Sequence, residues 1–469
     1  MRLFEALEKI KKEALISFHM PGHKNGRLIG EALANPLAID ITEIPGADHL
    51  HEAHDCIAET EQSIAEFYGA AQSKLLVGGS TAGILSMILG TTRRGEVLLL
   101  NRNAHLSAYN AVQLGELEPV YLLPKLERRL GIPLGFDLET FKRLIEAHPE
   151  AKACLLTYPT YEGVCYSIRE MIEICHDKGI VVLVDEAHGA HLKLNDAGPS
   201  SALDLGADVV VQSFHKTLPA MTQVACLHIG KKNILSERQL NALIWHLRAL
   251  QSSSPSYVLM ASADLMLSVI ERDGVQKTKE MVENIRWFYD ETAELKTLGF
   301  RRFADGDPGK LLLEISREYY ERGDWDGFRV SSILREKYGI QSEYETERMC
   351  LFMAGLANEK KDFETLASAL IEMDKKILSV EKARRAGVLE GENLSPTYEL
   401  VLPQRVLSAA EAAAAPFEAV PSADCVGRIA AEYVIPYPPG IPVLVPGERI
   451  PDTLIATVKR EKNEIKVLR

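Results

Sequence analysis

The sequence predicts an α/β fold, a mostly parallel sheet flanked by helices with a smaller C-terminal α+β domain, and three observations carry that prediction. Between about residues 65 and 230, short aliphatic runs alternate with segments of helical period. The runs are apolar throughout instead of alternating with polar residues, the pattern of strands covered on both faces. At 469 residues the chain exceeds what one simple core serves, so more than one domain is expected.

The elements follow in order. "MRLFEALEKIKKEALISF" mixes charged and apolar residues at helical spacing, which fits neither a signal peptide nor a membrane span and points to a cytoplasmic location. Residues 1–50 are read as an N-terminal arm, 51–285 as the large α/β domain and 286–469 as the C-terminal domain. The strand candidates are "KLLVGG", "EVLLLN", "EPVYLL", "ACLLTY", "VVLVDE", "DVVVQS" and "VACLHI". Helices are expected at "STAGILSMILGTT", "LETFKRLIEAHP" and "SIREMIEICHDKG", the last stopped by lysine and glycine. "LLLEIS", "SILREKYGI", "RMCLFMA" and "FETLASALIEM" form the second α+β pattern. A linker-like stretch, "LPQRVLSAAEAAAAPFEAVPSAD", then leads into "GRIAAEYVIPYPPGIPVLVPGERI", whose prolines forbid a central strand and favour an extended wrap.

Hydrophobic residues at 46 % and charged residues at 25 % are ordinary for a globular protein. The net charge of −13 argues against nucleic-acid binding. Seven scattered cysteines read as reduced core thiols. His19 and His23, or His49, His51, His54 and Cys56, lack the spacing of a closed metal site, and no metal is expected.

In such sheets ligands bind at the C-terminal ends of strands, so the residues after each run carry the chemistry. "LLVGGSTAGILSMI" places glycines and then Ser80 and Thr81 at a helix start, where free N–H groups and hydroxyls cradle phosphate or simply cap the helix. "VVLVDEAHGAH" puts Asp185 at the end of the most apolar run. Its DEAH letters also occur in nucleotide-driven motors, but no P-loop lysine precedes them. A lone carboxylate there can hold a protonated ring nitrogen. His105 ends a third strand, as a core histidine or as a ring that stacks on a flat ligand. Lys216, in "SFHKTLP", ends a fourth strand 31 residues after Asp185, as a lysine escaping to solvent or as an amine nucleophile. Phosphate cradle, carboxylate, planar ring and amine together are the inventory that pyridoxal 5′-phosphate requires.

The chain resembles the Orn/Lys/Arg decarboxylase family of fold-type-I pyridoxal-phosphate enzymes, in its short form. The matching stretches are "FHMPGHKNG", "DITEIPGADHLH", "GGSTAG", "RNAHLS", "PTYEGV", "DEAHGAH", "SFHKTLPAMTQ", "SSSPSY" and "GRIAAEYVIPYPPGIPVLVPGE", in the family's order nearly end to end. The resemblance implies an aspartate-aminotransferase-like fold, with Lys216 holding the cofactor aldehyde as a Schiff base and Asp185 paired with the ring nitrogen. It further implies that His105 stacks on the ring, that Ser80, Thr81, Ser213 and His215 bind the phosphate, and that Ala82 and Ala187 also contact the cofactor. A hydroxyl from a neighbouring subunit, Ser253 or Ser254, would complete the phosphate site, which implies a homodimer with shared sites or a higher oligomer. Larger members carry Trp where this chain has His188.

The implied reaction is decarboxylation of lysine, ornithine or arginine to the amine, with Lys216 or His188 reprotonating Cα, and it suggests a place in polyamine biosynthesis. Glu43 and Asp48 are candidates for the cationic tail, or else loop and cap carboxylates. An aminotransferase would use the same lysine and aspartate, and a non-catalytic cofactor-binding protein would not need Lys216, Asp185 and His105 intact together.

Overall fold

In a computed structural model, residues 3–195, 198–320, 325–384, 402–436 and 440–469 are described. Tyr437, Pro438 and Pro439 of the proline-rich wrap lie outside the described residues.

The seven apolar runs form one sheet. They are β1 (Gln72–Leu76), β2 (Val97–Asn101), β3 (Glu118–Leu122), β4 (Ala153–Thr157), β5 (Val181–Asp185), β6 (Val209–Gln212) and β7 (Ala225–Ile229), in the spatial order β1-β7-β6-β5-β4-β2-β3. Strands β6, β5, β4, β2 and β3 are parallel, while β7 runs antiparallel to both β6 and β1. The sheet is therefore mixed, with the one reversed strand near its edge. Continuous apolarity is explained in β5: Val182 and Val184 enter the core on one face, and Val181 and Leu183 the core on the other.

Helices supply those cores. α1 (Leu3–Glu13) stands apart with no buried residue, and α2 (Cys56–Tyr68), α3 (Gly79–Thr91), α4 (Leu106–Leu114), α5 (Leu138–Ala147) and α6 (Ile168–His176) flank the sheet. α7 (Glu237–Ala249) packs along α3, where a Cβ on Gly90 would sit 2.5 Å from Leu243 Cα. α8 (Tyr257–Glu291) is a single 35-residue helix that leads to a second, antiparallel sheet. Its strands are β8 (Leu298–Arg301), β9 (Lys310–Ile315), β10 (Tyr344–Glu345) and β11 (Met349–Met353), in the order β8-β9-β11-β10.

The stretch expected to be a linker is structured. Ser408 and Glu411 form a reciprocal capping box on the helix Ala409–Ala414, and Phe417–Pro421 pairs antiparallel with the terminal strand Glu464–Leu468. Its alanines are good helix formers once a cap is present. The following segment wraps in extended form over α4, where Arg102 donates to Pro442 O at 2.6 Å and contacts Glu448 at 3.3 Å. Leu106 N–H donates to Gly440 O at 3.0 Å. The cysteines are all free, and five of the seven are buried.

Asp48 is a cap for α2. Its carboxylate accepts from the backbone N–H groups of His49, His54, Asp55, Ile57 and Ala58, while Glu43 is exposed. Burial alone would raise the Asp48 pKa, but these bonds reverse that and hold it at about 2. Since the folded value lies below the ordinary one, the contribution is present at neutral pH and lost as pH falls through about 2. Asp48→Ala is expected to cost about 1–2 kcal/mol of unfolding free energy, read as a lower urea midpoint.

Candidate active site

Five strands of the large sheet deliver side chains to one cavity of about 470 Å³ at their C-terminal ends. Beyond β1 come Gly78, Gly79, Ser80 and Thr81; beyond β2, Asn103 and His105; beyond β4, Pro159 to Glu162. Asp185, Ala187 and His188 follow from β5, and His215 and Lys216 from β6. Met20 and Pro21 of the N-terminal arm and Ile441 of the C-terminal wrap close the lining.

The local reasons differ at each strand end. After β1, Gly79 takes a φ of 73°, which turns the chain into α3. Gln251 accepts from Val77 N–H at 2.8 Å, and the Gln223 amide bonds to Val77 O, so the turn is pinned from two distant segments. The first N–H groups of α3 have no helical partner and lie at the cavity with the Ser80 and Thr81 hydroxyls. His105 caps α4, its Nδ1 accepting from Ser107 N–H at 3.2 Å, while burial lowers its pKa. Asp185 Oδ1 accepts from Ala187 N–H at 3.1 Å.

Lys216 lies in the one-turn helix Phe214–Thr217, immediately after β6. The arm packs on this turn: Gly22 N–H donates to His215 O at 2.7 Å, and a Cβ on Gly22 would meet Leu218 O at 2.5 Å. Lys216 is half-exposed to the cavity yet densely surrounded, and burial lowers its pKa against the opposing pull of Asp185 and Glu343. Its Nζ lies 3.1 Å from His188 Nε2, and the Nδ1 of that ring lies 2.9 Å from Lys310 Nζ. Burial, then the neighbouring Lys216 and Lys310, pushes the His188 pKa well down.

Of the residues named from sequence, Ser80, Thr81, His105, Asp185, Ala187, His188, His215 and Lys216 meet at this cavity. Ala82 and Ser213 are buried beside its lining, and Ser213 Oγ has no hydrogen-bond partner. Ser253 and Ser254 are exposed in the loop before α8 and are not in the lining of this cavity. The second acid of DEAH faces inward: Glu186 accepts from Ser201 Oγ at 2.8 Å, Ala202 N–H at 2.6 Å and Gln212 Nε2 at 2.6 Å. It is a buried structural acid and not a metal-facing one. Sequence reading missed Lys310, Tyr161, Gln223, Gln251 and Glu343. Tyr161 and Gln223 carried a signal, being inside the quoted "PTYEGV" and "SFHKTLPAMTQ"; the other three did not.

Residues 2–304 match the family model for the Orn/Lys/Arg decarboxylase major domain, and residues 395–459 match the family's C-terminal domain. The chain belongs to the Orn/Lys/Arg decarboxylase family. That makes it an enzyme of the carboxy-lyase class. It is 35 % identical over 468 residues to the uncharacterized protein YaaO of Bacillus subtilis, covering 98 % of this chain and 93 % of that one. It is 31 % identical to a protein named arginine decarboxylase from Halalkalibacterium halodurans, over 98 % of this chain and 93 % of that one. The solved constitutive lysine decarboxylase of Escherichia coli superposes with a TM-score of 0.76 at 19 % identity, over 99 % of this chain and 81 % of that one. The fold is thus the aspartate-aminotransferase-like type I expected from the sequence.

The family and its fold neighbours imply pyridoxal 5′-phosphate, and the donor set fits it. Free helix N–H groups and the unpartnered Ser213 hydroxyl suit a phosphate, Asp185 suits a ring N–H, and a lysine with depressed pKa suits an aldehyde. His215 adds a condition. Its Nδ1 bonds to Val224 O at 2.9 Å and so carries the proton, leaving Nε2 a bare acceptor, and burial lowers its pKa to about 4. An anion at Nε2 therefore binds together with a proton. Sulfate affinity of the cofactor-free protein should fall by up to about tenfold per pH unit as pH rises above about 4. His215→Gln, which offers an N–H without titrating, should flatten that dependence in calorimetric titrations.

Proposed function

We propose that this chain decarboxylates a basic amino acid, arginine first, to the corresponding amine, with pyridoxal 5′-phosphate held at Lys216. The carrying observation is the convergence of Lys216, Asp185, His105, Ser80 and Thr81 on one cavity in a chain of this family. The relative named arginine decarboxylase, matched over nearly the whole length of both chains, supports arginine over lysine and ornithine.

When bound, the cofactor supplies an electron-accepting ring for the pair released as the substrate carboxylate leaves as CO₂. Lys216 would supply the amine that holds the cofactor aldehyde, with the substrate amine taking its place. Asp185 would keep a proton on the ring nitrogen, and His105 would pack against the ring. The Ser80, Thr81 and Ala82 backbone N–H groups, the Ser213 hydroxyl and protonated His215 would hold the phosphate, and Ala187 would lie against the ring. Lys216 or His188 returns a proton to Cα after CO₂ departs. Orientation of the scissile bond selects decarboxylation over removal of the α-proton, so rigid placement of these groups is the main catalytic device.

The working unit in this reading is a homodimer, with Ser253 or Ser254 of one subunit completing the phosphate site of its partner. Leu3, Phe4, Leu7 and Ile10 of α1 and Leu37 and Ile44 beyond it are exposed, an apolar surface of the kind a second subunit covers. No helix among the described residues is long and apolar enough to cross a membrane.

Incubation with arginine, lysine and ornithine separately, with CO₂ and amine measured, tests the reading. Agmatine is the expected principal product, and an α-keto acid without CO₂ would overturn it in favour of amino transfer. Lys216→Ala is expected to lose the visible absorbance of the lysine-bound cofactor and to lower kcat by at least about a thousandfold.

A further inference from the structure

His188 stands between two lysines, each within hydrogen-bond distance of a different ring nitrogen: Lys216 at Nε2, 3.1 Å, and Lys310 at Nδ1, 2.9 Å. An ammonium only donates, and a neutral imidazole has one N–H and one lone pair. Two ammonium groups cannot both be satisfied by one imidazole. One lysine must be the donor, and the other must be a neutral amine that accepts the imidazole N–H.

We infer that Lys310 is a positioning residue: as the ammonium it donates to His188 Nδ1, fixes the imidazole proton on Nε2, and thereby holds Lys216 as the neutral amine. This deepens the reading given above and rests on it only in taking Lys216 as the reactive amine. The surroundings decide which lysine carries the charge. Lys310 is 6 % exposed and lies near Asp307, Glu343 and Glu162, with its Nζ 5.5 Å from the centre of the Tyr161 ring. Lys216 has the opposing charges of Asp185 and Glu343. His215, His105 and Tyr161 also border His188, and the buried Lys24 opposes the charge of Lys310.

Two further features show that the place for Lys310 is built. Gly163, at φ 87°, leaves room for it, since a Cβ there would lie 2.5 Å from Lys310 Cγ. Tyr161 packs 4.5 Å from the His188 ring and donates its hydroxyl to Glu343 at 2.5 Å, so aromatic face and counter-charge arrive together. Burial lowers the Lys310 pKa to about 8, against the raising effect of Asp307 and Glu343. It therefore remains mostly protonated at neutral pH.

The test reads the His188 tautomer in cofactor-free protein by ¹⁵N shifts of labelled histidines, with His188 assigned by its loss in His188→Phe. The expected wild-type state is Nε2–H. Lys310→Gln, whose amide still donates to Nδ1, should keep it, while Lys310→Met should release the ring to the Nδ1–H form. Trapping of Lys216 by pyridoxal 5′-phosphate and borohydride, followed by mass spectrometry, gives the apparent amine pKa. It should rise by about one unit in Lys310→Met, slowing trapping about tenfold at neutral pH. In the His188→Phe background the same substitution should have little further effect. An Nδ1–H tautomer in the wild type, or an unchanged tautomer and trapping rate in Lys310→Met, overturns the inference. Should Lys310→Met not fold, the wild-type tautomer alone decides. Neither readout involves turnover, so a failed decarboxylase assay and a failed tautomer assignment are separate outcomes.

Discussion

An amine at the end of an apolar strand is the constraint on which the rest of this structure depends. Residues Val209 to Phe214 leading to Lys216 are fully buried, so the lysine emerges from a dry sheet into a cavity that is also mostly enclosed. A protonated amine is disfavoured in such a place and a neutral amine is favoured, which is the form a nucleophile needs. The opposing charges are kept few: Asp185 and Glu343 restrain the shift without abolishing it. The cavity makes the arrangement tolerable, because Lys216 is half-exposed to it and not sealed in the core.

The sheet topology explains why the other groups are where Lys216 can use them. Parallel strands β2, β4, β5 and β6 end on one edge, so each following turn adds a side chain to the same place. The reversed strand β7 brings the chain from Lys216 away from that edge, and its return path carries Gln223, which pins the glycine turn after β1. A hydrogen bond made by a residue 146 positions away thus sets the shape of the Ser80–Thr81 turn. The Ser80–Thr81 turn and the amine are coupled through backbone geometry.

Legibility in the sequence followed the range of the physical signal. All seven strands of the large sheet were readable, because burial on both faces leaves an uninterrupted apolar run and because glycines and capping residues mark the ends. Asp185, His105 and Lys216 were readable as polar residues at the ends of those runs. Lys310 was not: it opens the strand "KLLLEI", where a lysine normally marks emergence into solvent, and nothing local says that it is 6 % exposed beneath a tyrosine ring. Gln251 and Glu343 carry no periodic or motif signal, since their roles depend on segments from other parts of the chain. The alanine-rich stretch misled for the opposite reason. Its composition resembles a tether, whereas the Ser408–Glu411 capping box gives it a start and the terminal strand gives it a partner.

The second sheet is more than an appendage to the large one. Glu343, at its edge, accepts from Met20 N–H at 2.8 Å and from Tyr161, joining the N-terminal arm and the loop after β4 in one carboxylate. Asp307, just before β9, pairs with His191 at 2.9 Å and accepts from Gly309 N–H at 2.8 Å. Buried and half-buried acids of this kind contribute little net stability compared with apolar packing, but each has one geometry that satisfies its partners. Here those geometries fix how the small sheet meets the strand ends. A displacement of the sheet by about 1 Å would take the Glu343 and Asp307 contacts beyond hydrogen-bond distance. The electrostatic setting of Lys216 is therefore as rigid as the contact between the two sheets, and that rigidity comes from residues that no strand-end motif contains.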